Sequence, residues 1–467
     1  MDSQPASSIR DRVVSVADAF IAGLLFAMIV FSPWAFGATQ PWSVRWMNVG
    51  GYALGLLCLG KCVTRRRLFV SSHPTVRWFS IVLLFVTGMI LAYVFVAAWN
   101  AEFTYIGHEF RRDPRPHVKW LPHSLDQSAS WQTFRNWLAL VCVFWAAHDW
   151  LTSETTPEGH HRTRRLRLLI VVLAANGALV ALEGILQRSS GTPKLLWFRP
   201  THDNPDASAQ FGPYAYRANA AQLFNLIWPP ALALWWHLHF RPKSRRHSQR
   251  HHWLLPAIIL LLVAPLISLS RGGVAIALLQ MFACGCFLLL AGRLTGAARL
   301  QIAVVFLLTI AASVYLGGEE IAKRLRDSSD DPLRGRSDTY RLAARMADDY
   351  PWFGVGPGAF DSVFQEYRTS PDDYWPGQLH NDWLEYLITL GRIGFGLVLA
   401  AGALIAARWW LPGGLRLHWT FAAFVWIAIA GCLLHARFDF PLQICSIQFV
   451  FVLLAAVLFS LSRARAG

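Results

Sequence analysis

The stretch LISLSRGGVAI (Leu266–Ile276) places one arginine in the middle of a long apolar segment. The apolar runs on its two sides together span about 40 residues, and one membrane-crossing helix needs about 20. The two glycines after Arg271 permit a tight turn between two such helices. This stretch therefore predicts two helices packed as a hairpin in a membrane, with Arg271 at the turn.

The composition of the whole chain extends this interpretation. The 467 residues are 54% hydrophobic and 15% charged, whereas a soluble domain carries about a quarter charged residues. The prediction is an all-α polytopic integral membrane protein with about 12 transmembrane helices, each near the ~20 residues that a bilayer requires. The apolar runs lie near 13–37, 46–63, 76–99, 131–151, 166–186, 218–240, 253–270, 272–292, 299–317, 383–408, 417–435 and 442–462.

The net charge of +15 is concentrated in short loops between the apolar runs. Such loops lie on the cytoplasmic side under the positive-inside rule, so the charge indicates topology and not nucleic-acid binding. Both termini and the 241–252 loop are predicted to be cytoplasmic. The segments 100–130, 187–217 and 318–382 are then periplasmic. The longest of them, the periplasmic loop 318–382, is predicted to be partly helical.

Candidate site residues collect on the predicted outer face. Several arginines there suit an anionic substrate, because guanidinium groups bind phosphate oxygens with two parallel hydrogen bonds. A histidine that titrates near neutral pH can act as a general base toward a hydroxyl. The candidates are His380, Arg271, Arg336 and Arg217, with Asn381 and Arg341 as supporting residues.

Metal and cofactor chemistry is not indicated at this face. Its acidic residues come as the adjacent pairs 330–331, 348–349 and 372–373, and neighbouring helical side chains point apart. No catalytic metal and no cofactor are therefore predicted. The histidine pairs 160–161 and 251–252 lie in basic loops, and we expect them to be solvated.

Three further charged features lie within the apolar runs. Asp18 and Glu183 are candidate buried carboxylates. Glu385 and Arg392 are seven residues apart, which on a regular helix places them on one face, where they are expected to form an ion pair.

Three motifs resemble the family of O-antigen ligases and polymerases, in that family's order and separation. They are SLSRGGVAIALL (Ser268–Leu279), GRSDTYRLAARMADDYPWFGVGPGAF (Gly335–Phe360) and HNDWLEYLITLGRIG (His380–Gly394). FGPYAYRANAAQLFNLIWPPALAL (Phe211–Leu234) and HARFDFPLQI (His435–Ile444) are weaker matches. The resemblance divides the chain into N-terminal transmembrane helices at 1–200 and a ligase-like region at 201–467.

The resemblance implies an inverting, metal-independent glycosyltransferase of the bacterial inner membrane, acting in polysaccharide biosynthesis for the cell envelope. Such enzymes move a glycan from an undecaprenyl diphosphate carrier to an acceptor hydroxyl. By resemblance His380 is the general base, Arg271 and Arg336 bind the diphosphate, and Arg217 is a third such residue. Asn219 stands where the family often has a histidine, and Tyr340 where it usually has a tryptophan.

The motifs leave the acceptor open. A ligase transfers the glycan to lipid A–core in lipopolysaccharide synthesis, whereas a polymerase transfers it to another glycan, as in O-antigen or exopolysaccharide chains. A third hypothesis is a polysaccharide transporter or flippase, which predicts inverted repeats with broken helices. No internal repeat is visible in the sequence.

Overall fold

A computed structural model describes residues 9–67, 74–106, 111–153, 160–201, 206–239, 250–290, 296–326, 332–369, 377–411, 415–417 and 419–463. The described chain is mostly α-helical. Its α-helices are α1 (Ile9–Trp34), α2 (Pro41–Arg65), α3 (Pro74–Trp99), α4 (Gln127–Thr152), α5 (His160–Ser190), α6 (Arg217–His239), α7 (Leu254–Ile267), α8 (Arg271–Leu290), α9 (Gly296–Arg326), α10 (Pro332–Asp349), α11 (Phe360–Phe364), α12 (Asp382–Ala407), α13 (Trp419–His435) and α14 (Cys445–Ser460).

Short irregular elements connect these helices. Strands β1 (Phe103–Ile106) and β2 (Arg111–Pro114) pair antiparallel, as do β3 (Lys194–Leu195) and β4 (Arg199–Pro200). Strands β5 (Leu415–Leu417) and β6 (Leu461–Arg463) pair in parallel. The 3₁₀ helices are Phe36–Ala38, Ala207–Ala209, Arg250–Trp253, Arg408–Trp410 and Pro441–Gln443.

Each of the twelve predicted apolar runs coincides with a helix, so the prediction of an all-α membrane protein is confirmed. Among the described residues, five helices are long and apolar enough to cross a membrane by length and composition: Ile9–Trp34, Pro74–Trp99, Thr163–Ser190, Arg271–Leu290 and Asp382–Trp410. Shorter apolar helices are His251–Ile267, Arg299–Ala311, Phe421–His435 and Cys445–Ser460. Twelve spans therefore stays a prediction.

Helix α6 lies at the centre of the bundle and is buried from Ala218 to Trp236. A helix that is apolar all round is stable only where neighbours surround it, and α5, α7, α8, α13 and α14 pack against α6. At about 1.5 Å per residue its 23 residues extend roughly 33 Å. Arg217 and His239 therefore lie at opposite ends of the bundle.

Helix α12 is kinked at Gly391, which has φ 61° and ψ −177°. The kink exposes backbone groups to the aromatic and glycine-rich segment Tyr350–Phe360. The amide of Val355 donates to the carbonyl of Ile388 at 2.9 Å, and that of Gly356 to Thr389 at 3.1 Å. Backbone hydrogen bonds thereby hold the segment Tyr350–Phe360 against α12.

Two glycines make this docking sterically feasible. A Cβ atom on Gly354 would lie 2.5 Å from the Gly391 amide nitrogen, so neither position accepts a side chain without displacement. The same kink makes the expected Glu385–Arg392 pair wrong. Glu385 accepts the Leu379 amide at 2.7 Å, and the Arg392 guanidinium lies 5.6 Å from the Trp352 ring centroid.

A buried ion cluster joins α1, α2, α4 and α5 at the end of the bundle opposite Arg217. It consists of Asp18, Lys61, Arg65, Asp149 and Arg165. Lys61 contacts Asp18 and Asp149, Arg65 contacts Asp149 at 2.6 Å, and Arg165 contacts Asp18 at 2.7 Å. Every carboxylate oxygen of the two aspartates has a cationic partner, as burial of charge requires.

Candidate functional site

His380 is held by its backbone at the start of α12. The next residue, Asn381, caps the helix by accepting the Leu384 amide at 3.3 Å. His380 itself has φ +57°, a conformation that few non-glycine residues adopt. The Tyr340 hydroxyl from α10 donates to the His380 carbonyl at 2.7 Å. Helices α10 and α12 therefore fix the position of this histidine.

The His380 ring contacts Asp439, which lies in the turn between α13 and α14. Nδ1 of His380 is 3.2 Å from Oδ1 of Asp439. The second carboxylate oxygen accepts the Tyr216 hydroxyl at 3.2 Å and lies 3.7 Å from Nε2 of His435. We call these four residues, His380, Asp439, Tyr216 and His435, the Asp439 group.

Asp439 is buried, and its neighbours decide its charge. Burial alone raises the pKa of a carboxyl, but the hydrogen bond from His380 and the positive charge available at His435 and His380 outweigh it, so the pKa of Asp439 is below its ordinary value. Burial, followed by the Asp439 charge, raises the pKa of the Tyr216 hydroxyl. Asp439 is therefore an anion, and Tyr216 is a neutral hydrogen-bond donor to it.

Aromatic rings restrict the orientation of His380. The Phe440 ring lies edge-on to it with centroids 4.7 Å apart, and Tyr216 stacks on Phe440 at 5.3 Å. The His380 side chain remains 26% exposed, whereas that of Asp439 is 8% exposed. With Nδ1 turned toward the buried carboxylate, Nε2 is the ring nitrogen that remains for a substrate.

Arg336 approaches the Asp439 group from α10. Its Nη1 donates to the Phe438 carbonyl at 2.8 Å, one residue before Asp439. A guanidinium has five N–H donors, so this bond leaves Arg336 able to bind an anion beside His380.

The helix starts of α6 and α8 approach the same segment. Arg217 directly follows Tyr216 and donates to the Ser208 carbonyl at 2.6 Å. A Cβ atom on Gly272 would lie 2.8 Å from His435 Nε2 and from Phe438, so the start of α8 is in contact with this turn. The exposed Arg271 is the residue before Gly272. The structure thus brings the predicted arginines to one region of the fold.

The supporting candidates lie at the edge of this region. Arg341 is exposed and pairs with Asp338 at 2.8 Å. With Asn381, Trp383 and Arg437 it lines an open pocket between α10 and α12. Since the Asn381 side chain caps α12, its predicted role in orienting the histidine or the acceptor stays a prediction.

The buried-carboxylate candidates occupy other places. Asp18 belongs to the buried ion cluster. Glu183 lies against Gly212, where a Cβ atom would come within 2.7 Å of its Oε2. Neither Glu183 oxygen has a hydrogen-bond partner among the described residues. Of the acidic pairs, 330–331 and 372–373 lie outside the described residues.

Sequence reasoning missed Asp439, Tyr216 and His435 as site residues. The signal was present in HARFDFPLQI (His435–Ile444), where a histidine and an aspartate four residues apart follow an apolar run. An ionised carboxylate so close to a predicted span raises the free energy of the fold unless it is paired. Asp439 could therefore have been recognised as a residue with charged or hydrogen-bonding partners.

Residues 256–399 match the model of the O-antigen ligase family. The matched segment contains Arg271, Arg336 and His380, whereas Arg217 and Asp439 lie outside it. No curated protein matches the chain significantly. The segment 256–399 is thus similar to the O-antigen ligase family.

Proposed function

We propose that the protein is an O-antigen ligase that transfers a glycan from undecaprenyl diphosphate to an acceptor hydroxyl at the periplasmic face of the bacterial inner membrane. The observation that carries the proposal is the His380–Asp439 contact with Arg336 beside it. It combines a histidine for proton transfer with an arginine for an anion, and both lie in the segment that matches the family.

In the proposed reaction His380 is the general base. Asp439 holds Nδ1, so Nε2 takes the proton from the acceptor hydroxyl, and Asp439 stabilises the imidazolium that forms. The acceptor oxygen forms a bond to the anomeric carbon while the bond from that carbon to the diphosphate breaks. Attack opposite the leaving group inverts the configuration of the sugar, and undecaprenyl diphosphate leaves as an anion.

Arginines neutralise that leaving group in the proposed mechanism. Arg336 and Arg271 bind the diphosphate oxygens, and Arg217 is the third candidate. Fixed positive charges stabilise a departing diphosphate without a metal ion. The reaction is therefore proposed to be independent of divalent cations.

The orientation follows from the basic loops. With both termini and the 241–252 loop in the cytoplasm, the Asp439 group faces the periplasm. The partners are then a lipid-linked glycan donor in the bilayer and an acceptor, either lipid A–core or another glycan, that arrives from the aqueous side. Nucleic acid has no part in this reaction.

Purified protein incubated with a lipid-linked glycan and separate acceptors tests the proposal. We expect a glycan–lipid A–core product of inverted anomeric configuration, formed equally well in EDTA. Longer lipid-linked chains without that product would identify a polymerase instead. Absence of any new glycosidic bond, or turnover that needs magnesium or manganese, would contradict the proposed reaction.

A further inference from the structure

Three histidines meet at the end of the bundle opposite the Asp439 group. His239 ends α6, and His251 and His252 belong to the 3₁₀ helix Arg250–Trp253 that leads into α7. One ligand nitrogen from each lies within 4.8 Å of the others. The expectation that the pair 251–252 is merely solvated is therefore wrong, because both rings pack against His239 at centroid distances of 5.4 and 5.9 Å.

The geometry of this cluster is close to that of a metal site. Nδ1 of His239 and Nε2 of His251 are 3.2 Å apart. In a tetrahedral zinc site with Zn–N bonds of about 2.0–2.1 Å, two ligand nitrogens are about 3.3–3.4 Å apart. The separation of these two nitrogens therefore matches that of two zinc ligands, and a nitrogen of the third histidine lies within 4.8 Å of both.

The surroundings of the cluster restrict its ligand. Trp235 stacks on the His239 ring at 5.1 Å and fixes its plane, and the three side chains are only half-buried, so an ion can reach them. Three imidazoles without a carboxylate suit zinc, copper or nickel and not magnesium or calcium, which prefer oxygen ligands.

We propose that His239, His251 and His252 form a binding site for one transition-metal ion of the zinc type. Water or a further side chain completes its coordination. The ion ties the end of α6 to the start of α7. Because α6 is about 33 Å long, this site is separate from the proposed transferase chemistry and its role is structural.

Metal binding by the full-length protein tests the site. The protein is purified in detergent with a tag that contains no histidine, stripped with EDTA and titrated with Zn²⁺ by calorimetry and with Co²⁺ by visible absorption. We expect one ion per chain, a Co²⁺ spectrum typical of tetrahedral nitrogen coordination, and a higher thermal midpoint with Zn²⁺.

Substitutions identify the ligands. His239→Gln and His252→Gln are each expected to weaken Zn²⁺ binding at least about tenfold, since even the partners of metal ligands have effects of that size. The matched control is His117→Gln with His123→Gln, a second pair of neighbouring histidines whose ring centroids lie 5.6 Å apart. This control is expected to bind like the wild type.

Two results would overturn the assignment. One is the absence of stoichiometric binding by the wild-type protein. The other is a wrong pattern among the variants. Binding would then be unchanged in His239→Gln and His252→Gln, or it would be lost in the control with His117→Gln and His123→Gln. Gel filtration of every variant confirms that it is folded, so loss of binding reports on the ligands.

Discussion

Two groups of buried charged residues in the described part of the chain, the buried ion cluster and the Asp439 group, differ in whether a side chain remains accessible to a substrate. In the buried ion cluster, Asp18 and Asp149 are each bound by two cations, and the Lys61 side chain is fully buried. In the Asp439 group the carboxylate is also bound by several partners, but the His380 side chain is 26% exposed and contacts Asp439 through Nδ1 alone.

The difference separates a structural role from a chemical one. A network whose charges satisfy one another and exclude water can hold helices together but has no capacity for a substrate. A buried anion that orients an accessible histidine, with an arginine next to it, has that capacity. Burial of charge alone therefore does not indicate a catalytic site. A catalytic site is indicated where a buried charge contacts a partly exposed side chain.

The largest expected effect is on stability, at the buried ion cluster. Lys61→Met leaves Asp18 and Asp149 with one cation each, and breaking a buried pair costs about 3–5 kcal/mol. We expect a lower thermal midpoint in detergent, with an unchanged transfer rate per folded molecule. The control is Lys194→Met at an exposed lysine. If Lys61→Met lost activity while keeping its stability, the cluster would not be merely structural.

Arg336→Lys is expected to reduce transfer by about 10²–10³-fold, the usual effect of removing one donor that stabilises transition-state charge. Lysine keeps the charge but lacks the planar fork that binds two phosphate oxygens. The loss should be similar for donors that carry different glycans. Arg345→Lys, at an exposed position of the same helix, is the control. A variant that discriminates between glycans would assign Arg336 to sugar recognition.

Asp439→Asn is expected to lower kcat by at least about 10–100-fold, the effect of removing a carboxylate that orients a metal-binding histidine. The KM for the lipid-linked donor should change little, because Asp439 contacts the histidine and not the diphosphate. Steady-state kinetics measures kcat and the KM for the donor. The control is Asp338→Asn, at an exposed aspartate on α10. An increase in KM with normal kcat would show that Asp439 contributes to donor binding and does not orient the base.

The helices could be predicted from the sequence because each apolar run is long and regular. The kink of α12 could not, since Gly391 is compatible with a straight helix and only the docking of Val355 and Gly356 makes a break favourable. The same break separated Glu385 from Arg392. Hydrophobic periodicity predicts one helix at a time. It does not predict backbone hydrogen bonds to residues that are distant in the sequence.

The candidate site was predicted in part. His380 stood out because it lies just before an apolar run, where polar residues are costly and few. Arg336 stood out because it falls on the same predicted side as the other arginines, within a motif that resembles the family. Asp439 did not, because its importance comes from a contact across 59 residues with His380. His239 was missed for the same reason: its partners His251 and His252 are 12 and 13 residues away in the sequence, and the packing of α6 on α7 brings the three together.

The central claim is that His380 is the base of the transfer reaction, and His380→Ala tests it most directly. Single-turnover transfer and donor affinity are measured on the same preparation. General-base loss typically removes about 10²–10⁴-fold of the rate, so we expect a fall of that size with donor binding retained. Near-normal turnover of His380→Ala, or loss of donor binding by His380→Gln in proportion to its activity, would contradict the claim.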